Sequence, residues 1–325
     1  MAPGALLARC VRQAPRALLA GLLVAAPGCS GEVVNLGSSP LEAGGSTASG
    51  GAVSRSWVVD PSPVLPQVED LLLANPTLNL SAEPSELYYS AQDRYSDPPL
   101  VRIEMATRGA AGFGVGMKIP FGDPDTFDAS SPAVSAAGDE LWFSQLGAKG
   151  HTEIWRSARD GAAWATPTLV TELSSSLGDS AARPPAVNGT IMPLSSKRHR
   201  GPYYQIYFSE RSAPGAAWSE PHQTGLTAIN SPDFQSADGF LSESGLDLYF
   251  SSTRDGDHND SDLYVAHRGS IGAEFGAPQP LVDLNDPVLG LRSHERMPWL
   301  SPAGDALYFV SDRSGQYTLY VATKL

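Results

Sequence analysis

The chain has few cysteines and few basic residues. Two of its 325 residues are cysteine, and 22 Lys and Arg stand against 35 Asp and Glu, a net charge of −13. Two cysteines exclude a disulfide-rich scaffold, and nucleic acid is not an expected partner, because phosphate backbones attract an excess of basic residues. The apolar run 17–26 is too short to cross a bilayer. Glycine and proline are abundant instead, with 32 and 27 residues, which is typical of short strands joined by turns.

The N-terminus has the order of an export signal. Three arginines precede the apolar run, which ends at Ala26 and is followed by Pro27, Gly28 and Cys29, and this order predicts a signal peptide over residues 1–29. A cysteine after small residues resembles a bacterial lipobox, in which Cys29 carries lipid and becomes the mature N-terminus. Cleavage without lipid, or no export, stays open, because Ala26 stands where leucine is usual. The predicted location is the cell envelope, in the periplasm or at the outer membrane, with lipid as the membrane contact.

Residues 30–54 are rich in Gly, Ser and Ala and lack hydrophobic periodicity. Such a composition predicts a flexible tether. The folded domain is therefore expected over residues 55–325.

A phrase recurs in that domain. Residues 131–158 read SPAVSAAGDELWFSQLGAKGHTEIWRSA, residues 238–266 read DGFLSESGLDLYFSSTRDGDHNDSDLYVA, and residues 297–322 read MPWLSPAGDALYFVSDRSGQYTLYVA. Each copy contains an apolar strand, Ser-x-x-Gly, an aromatic strand, a polar loop and a third strand. Regular repetition of one unit predicts a repeat architecture.

An aromatic residue followed by a proline opens a fourth strand in each unit. Trp164, Trp218 and Phe275 show this pattern, and Phe113 shows a weaker form. Four antiparallel strands per unit, repeated radially, predict the blades of an all-β propeller. Proline fits the outermost strand, because it cannot donate to a neighbouring strand.

The blades are expected at residues 71–120, 125–173, 180–229, 233–284 and 292–325. The last unit ends after its third strand, and WVVDPSPVL, which begins at Trp57, has the spacing of a fourth. Residues 56–66 are therefore predicted to complete the last blade. The prediction is a five-bladed β-propeller of four-stranded antiparallel blades, closed by an N-terminal strand that removes an exposed edge.

The phrases SPAGDALYFVSDRSGQYTLYVA and SGLDLYFSSTRDGDHNDSDLYVA resemble the WD40-like (PD40) repeat of TolB-type propellers. The resemblance covers residues 55–325. It implies a scaffold in the periplasm or at the surface that binds a partner. TolB-type propellers usually have six blades, so five blades do not imply the role of TolB itself.

One loop concentrates oxygen ligands. Asp255, Asp257, Asn259 and Asp260 follow each other at short spacing, and such side chains suit Ca²⁺. The alternative is a solvated hairpin loop in which these side chains cap local turns. No other cofactor is expected.

Polar residues stand at the start of each innermost strand, where the blades converge on the axis. The candidate binding residues are Asp128, Arg183, Asp233, Asp238, His294, Glu295 and Arg296, with Ser130, Asp179 and Gln235 in the same segments. They would suit a polar ligand or a peptide. The alternative is that they satisfy backbone groups around a water-filled channel.

Arg211, Arg254 and Arg313 each follow an aromatic strand. Repeated charges at one repeat position usually connect strands of the same blade, so these three are predicted to be structural. The basic run 197–200 is predicted to be an exposed loop, with contact to an anionic partner as the alternative.

The predicted function is a scaffold that binds a protein or peptide partner in the cell envelope. The alternative is a glycoside hydrolase or sugar-binding lectin, with Asp128, Asp233 and Glu295 as the carboxylates. The sequence motifs of nucleophilic hydrolases and zinc proteases are missing, so an enzyme is the less expected class. Carboxylates around an open axial cleft would favour hydrolysis, whereas an axis filled by arginine would count against it.

Overall fold

The computed structural model describes residues 57–66, 71–93, 101–121, 129–255, 260–285 and 293–325. The predicted signal peptide, Cys29 and the tether lie outside these residues. Within them the chain consists of short antiparallel strands and one helical turn. In this part of the chain no helix is long and apolar enough to cross a membrane.

The strands form five consecutive antiparallel sheets. The first strand, β1 (Trp57–Val59), belongs to the last sheet. Blade one contains β2 (Leu71–Asn79), β3 (Glu86–Asp93), β4 (Val101–Gly109), β5 (Gly112–Phe113) and β6 (Met117–Lys118). Blade two contains β7 (Ala129–Val134), β8 (Glu140–Leu146), β9 (Thr152–Asp160), β10 (Ala163–Trp164) and β11 (Thr168–Leu169). In both blades the last two short strands pair with the third, so they are one interrupted fourth strand.

Blade three is the most irregular. It contains β12 (Asp179–Ser180), β13 (Ile191–Ser196) and β14 (Gln205–Glu210). Its fourth strand is reduced to one bridge between Phe208 and His222. The Asn230 side chain bonds both backbone groups of Ile206, and the Ser219 hydroxyl accepts the N–H of Glu210 at 3.0 Å. Point contacts therefore cover the strand edge that a fourth strand would otherwise cover.

Blades four and five complete the ring. Blade four contains β15 (Ser236–Leu241), β16 (Asp247–Ser252), β17 (Asp262–His267) and β18 (Gln279–Pro280), followed by α1 (Val282–Asn285). Blade five contains β19 (Glu295–Leu300), β20 (Ala306–Ser311) and β21 (Thr318–Lys324). Strand β19 contacts both β15 and β2, so blade five lies between blades four and one.

The N-terminal strand supplies the fourth strand of blade five. Strand β1 pairs antiparallel with β21, with Trp57 opposite Lys324. Beyond β1, the N–H of Val64 donates to the carbonyl of Leu319 at 2.8 Å. The chain is a five-bladed β-propeller. The predicted blade count and the N-terminal closure are both confirmed.

The core lies between the blades. Where blades two and three meet, the rings of Trp142 and Trp218 pack edge to face with their centroids 6.3 Å apart. Where blades four and five meet, the ring centroids of Phe240 and Trp299 lie 6.0 Å apart. Such contacts add to the area that each ring buries. Aromatic residues of the first, second and fourth strands therefore hold neighbouring blades together.

A cation ends the third strand of every blade and lies over the aromatic residue of the fourth strand. The distances from cation to ring centroid run from 4.4 to 5.8 Å. The pairs are Arg108 with Phe113, Arg159 with Trp164, Arg211 with Trp218, Arg268 with Phe275, and Lys324 with Trp57. Cation–π attraction thus fixes the interrupted outer strands.

The Ser-x-x-Gly motif forms the hairpin turn between the first and second strands. In blade five, the N–H of Gly304 donates to the carbonyl of Ser301 at 2.8 Å, and the Ser301 hydroxyl donates to Asp305 at 2.6 Å. Gly304 has φ of +70°, a conformation that costs glycine little. The motif is therefore a turn requirement.

Candidate functional site

One residue in each innermost segment bends that segment at the axis. These residues have left-handed φ between 48° and 59°, and in the four regular blades they lie within a β-bulge. They are Asn75, Ser131, Ala181, Asp238 and Met297. All five line one cavity of about 270 Å³, which is called the polar cavity below. A bulge redirects side chains, and here it turns one side chain per blade towards the axis.

A serine of the second strand connects these residues between neighbouring blades. Its hydroxyl accepts the N–H of the bent residue in the next blade. The pairs are Ser90 with Ser131, Ser144 with Ala181, and Ser195 with Asp238, at 2.8, 3.1 and 3.0 Å. Blade five has Val310 at this position, and the N–H of Asn75 instead lies 3.1 Å from the sulfur of Met297. The recurring serine therefore links blades one to four around the polar cavity, whereas Ser251 of blade four bonds to Ala237 and Asp238 of its own blade.

Further polar side chains surround this cavity. Gln235 and Arg296 line it, together with Tyr204. Asp238 is 8% exposed and accepts a hydrogen bond from the Ser251 hydroxyl at 2.9 Å. The predicted residues Asp238 and Arg296 thus meet at one end of the axis.

Arg183 crosses the axis. It is fully buried, and its guanidinium donates to the carbonyl of Pro298 in blade five. Burial lowers its pKa to about 10, and the nearby Asp238 opposes that shift, so Arg183 stays protonated at neutral pH. Its Nε and Nη1 have no hydrogen-bond partner among the described residues.

A second cavity lies at the other end of the axis. It has a volume of about 450 Å³ and is called the apolar cavity below. The ends of all five innermost segments line it, including Leu78, Val134, Pro185, Phe240, Trp299 and Leu300. Between blades four and five it also reaches Asp247, Tyr249 and Lys324.

Arg183 lies at the level that separates the two cavities. Ala181 lines the polar cavity and Pro184 the apolar one. Likewise, the carbonyl that Arg183 contacts belongs to Pro298, between Met297 of the polar cavity and Trp299 of the apolar cavity. The axis is therefore filled by arginine at its middle.

The predicted carboxylates lie in different surroundings. Glu295 is fully buried inside blade five and accepts hydrogen bonds from Ser293, Ser311 and Arg313 at 2.6, 2.7 and 3.1 Å. Burial raises the pKa of Glu295, and these bonds oppose the rise. Asp233 is exposed in a short turn. Asp128 lies outside the described residues.

His294 and Arg296 belong to a cluster between blades four and five. The Arg296 Nε donates to the Ser261 hydroxyl at 2.8 Å, and His294 lies 3.7 Å from Asp260. The neighbouring Asp262 has its pKa raised to about 6, by burial first and then by Asp260 and other carboxylates. Arg296 therefore reaches both this cluster and the polar cavity.

The predicted calcium loop is described only in part. Asp257 and Asn259 lie outside the described residues, Asp255 is exposed, and Asp260 is half-buried. Across the described ranges, no group of three or more His, Cys, Asp or Glu is placed to hold a metal ion. Calcium at this loop stays a prediction.

Contrary to the sequence prediction, Arg211, Arg254 and Arg313 do not occupy one repeat position. Arg254 and Arg313 follow the second strand and contact backbone carbonyls, of Ile229 at 3.0 Å and Leu284 at 2.6 Å. Arg211 instead follows the third strand of blade three and belongs with the outer cation–π pairs. The member of the basic run that matches Arg254 is Arg198, whose Nε lies 2.9 Å from the buried Asp179.

The apolar cavity was missed by the sequence reasoning, which looked at the starts of the innermost strands. Its lining residues stand at the ends of those strands, where Leu78, Val134 and Leu300 have the pattern of ordinary core residues. A usable signal was their position next to the recurring hairpin turn, which places them at one end of the axis.

Comparisons with known proteins find the fold in solved structures. No family model matches the chain, and no curated protein is similar to it in sequence. A glycoside hydrolase is 10% identical, with 82% of this chain and 92% of that chain covered and a TM-score of 0.56. A thermostable family-43 glycoside hydrolase is 12% identical, with 82% and 91% covered and a TM-score of 0.51. A TolB-type protein from Agrobacterium tumefaciens is 15% identical, with 74% and 70% covered and a TM-score of 0.46.

The two hydrolases share the propeller fold with this chain. Identities this low say nothing of activity, because one fold hosts many functions.

Proposed function

We propose that the chain is a binding protein whose apolar cavity takes an apolar segment of a protein or peptide. The observation that carries the proposal is a cavity of about 450 Å³ lined from all five blades. Concave apolar sites of this size are typical ligand sites. Its wall is well packed, because the lining residues Val134, Trp299 and Leu78 belong to the core and are at most 4% exposed.

The middle of the axis supports binding over hydrolysis. Hydrolysis of a glycosidic bond needs two carboxyl groups on either side of the bond. Arg183 occupies the centre, and Glu295 is bonded to three side chains inside its blade. These two side chains leave little room at mid-axis for a sugar between carboxylates.

The proposal includes the cell envelope as the site of action. The signal peptide, the lipobox-like Cys29 and the tether would place the propeller on a lipid anchor, facing a partner of the envelope. Mass spectrometry of the mature protein tests this. A diacylated or triacylated Cys29 at the N-terminus supports it, and an unmodified N-terminus or a retained Cys10 contradicts it.

A bulky residue at the cavity wall tests the binding site. Ala136 is exposed and lines the cavity, whereas the next residue, Ala137, is exposed and does not. A random peptide display library is selected on the wild-type protein, and the enriched peptides are measured against Ala136→Trp and the matched control Ala137→Trp.

The expected result is at least tenfold weaker binding to Ala136→Trp and unchanged binding to Ala137→Trp. Equal binding to all three proteins, or no enrichment, refutes the proposed site.

Sugar binding is the second candidate. Phe240, Tyr249 and Trp299 line the same cavity, with carboxylates at Glu243 and Asp247, and aromatic rings with polar neighbours suit sugar rings. A glycan array and a panel of aryl glycosides distinguish the two. Binding of a glycan that Ala136→Trp abolishes favours a lectin, and hydrolysis favours the enzyme.

A further inference from the structure

We infer that the partner segment carries positive charge beside its apolar anchor. This rests on the proposed function, because it concerns the same apolar cavity. The five hairpin turns between first and second strands surround the mouth of that cavity. The turns are residues 80–85, 135–139, 187–190, 242–246 and 301–305. They contain four acidic residues and no Lys, Arg or His.

The four acids come from four different blades. They are Glu83, Asp139, Glu243 and Asp305, and all four are exposed. Glu243 lines the cavity itself. The other three acids belong to turns that contribute the lining residues Leu80, Ala136 and Gly304, and each acid stands within three residues in sequence of one of these.

Hydrogen bonds hold three of these acids in place. The Ser135 and Ser301 hydroxyls donate to Asp139 and Asp305, both at 2.6 Å. The bond from Ser301 is the main cause that lowers the pKa of Asp305. Glu243 accepts the N–H of Asn188 from the neighbouring blade at 2.7 Å.

Arginines also reach these turns, because the Nε atoms of Arg211 and Arg268 donate to the carbonyls of Gly189 and Gly245, both at 2.7 Å. These arginines do not line the cavity. They end the third strands, where they stack on aromatic rings, as Arg159 does on Trp164 at 5.0 Å. Arg159 also pairs with Glu86 at 2.7 Å. Among the described residues, Lys324 is the one Lys or Arg that lines the cavity; it lies beside Trp57 and helps to lower the pKa of Asp305. The exposed charge of the turns is therefore acidic, whereas the arginines that reach them are engaged with backbone carbonyls and aromatic rings.

This pattern selects the chemistry of the occupant. An apolar side chain fills the cavity, and Lys or Arg on either side of it meets the acids of the turns. A segment with Glu or Asp at these positions is repelled, and complementary charge of this kind sets specificity and association rate. The inferred occupant is a basic segment of a protein, extended over the mouth with an apolar anchor.

The peptides enriched on the wild-type protein test the inference. Their residues within three positions of the apolar anchor are expected to contain an excess of Lys and Arg over the starting library. Against the double variant Glu83→Gln and Glu243→Gln, the same peptides are expected to bind about three- to tenfold more weakly. Their affinity for the wild-type protein is expected to fall as NaCl is raised from 50 to 300 mM, and their affinity for the double variant is expected to fall less.

Glu172→Gln is the matched control, because Glu172 is exposed and does not line the apolar cavity; it is expected to bind like wild type. Enriched peptides that are apolar without charge bias, and that bind the double variant normally, overturn the inference while the proposed function stands. Peptides that bind Ala136→Trp as well as wild type overturn both.

Discussion

Trp57 provides the sharpest test of how the ring closes. It is 8% exposed and opens the strand that completes blade five. Its backbone N–H donates to the Asp283 carboxylate at 3.1 Å, and the Lys324 ammonium lies 4.8 Å from the centroid of its ring. Replacing a buried tryptophan by alanine costs about 3–5 kcal/mol of unfolding free energy. For a domain of this size, that corresponds to a fall in Tm of about 6–20 °C.

Val58→Ala is the matched control. Val58 follows Trp57 in the same strand and is 47% exposed, so its truncation is expected to stay within about 0.5 kcal/mol. Both variants and wild type are unfolded in guanidinium chloride and by heat, with tryptophan fluorescence and circular dichroism as readouts. If Trp57→Ala and Val58→Ala unfold at the same denaturant midpoint, β1 does not hold the ring together and the closure argument fails.

Three further predictions concern stability. Ser195→Ala leaves the buried N–H of Asp238 without its acceptor at 3.0 Å and should cost about 1–3 kcal/mol; an unchanged urea midpoint would contradict this. Arg268→Met removes the donor to the carbonyl of Gly245 at 2.7 Å and the cation over Phe275, for a similar cost by the same measurement. The Arg159 guanidinium holds the pKa of Glu86 at about 2, below its ordinary 4.5. A carboxyl with a lowered pKa stabilises the fold above its unfolded pKa, so stability should fall as the pH drops from about 4.5 towards 2. The difference between the urea midpoints at pH 5 and pH 3 should be smaller in Glu86→Gln than in wild type.

The repeat predicted the blades because each recurring residue has a local task. Ser301 and Gly304 make a turn, and Trp57, Trp164 and Phe275 begin the outer strands. Turn chemistry and strand alternation act over a few residues, so they are visible in a sequence. The N-terminal strand was predictable in the same way, because the spacing of its aromatic residue and proline matches the fourth strand that the last repeat lacks.

The arginines show where such reasoning stops. The sequence YFSER, which ends at Arg211, resembles YFSSTR, which ends at Arg254. However, blade three has no aromatic residues in its second strand, β13, and has them in its third strand, β14. The local pattern therefore matched the wrong strand. Pairing partners far apart in the chain decide which strand a motif occupies.

The candidate site was harder to predict for a different reason. Strict alternation along a strand assigns side chains to faces, but the bulges at Ser131, Asp238 and Met297 break that alternation at the axis. Each of these residues is followed by proline or glycine, namely Pro132, Gly239 and Pro298, which is a sequence signal for a bulge. This signal does not say which side chain the bulge turns towards the axis. The apolar cavity was hidden as well, because an apolar residue at the end of an innermost strand looks the same whether it faces a neighbour or a cavity.

Arg183 explains how one axis can have two unlike ends. A buried cation is costly unless its donors are used, and here one donor binds the carbonyl of Pro298 while Asp238 lies near enough to oppose the fall in pKa. The side chain joins blade three to blade five across the centre, between the two cavities. A substitution in the polar cavity therefore need not alter binding in the apolar one.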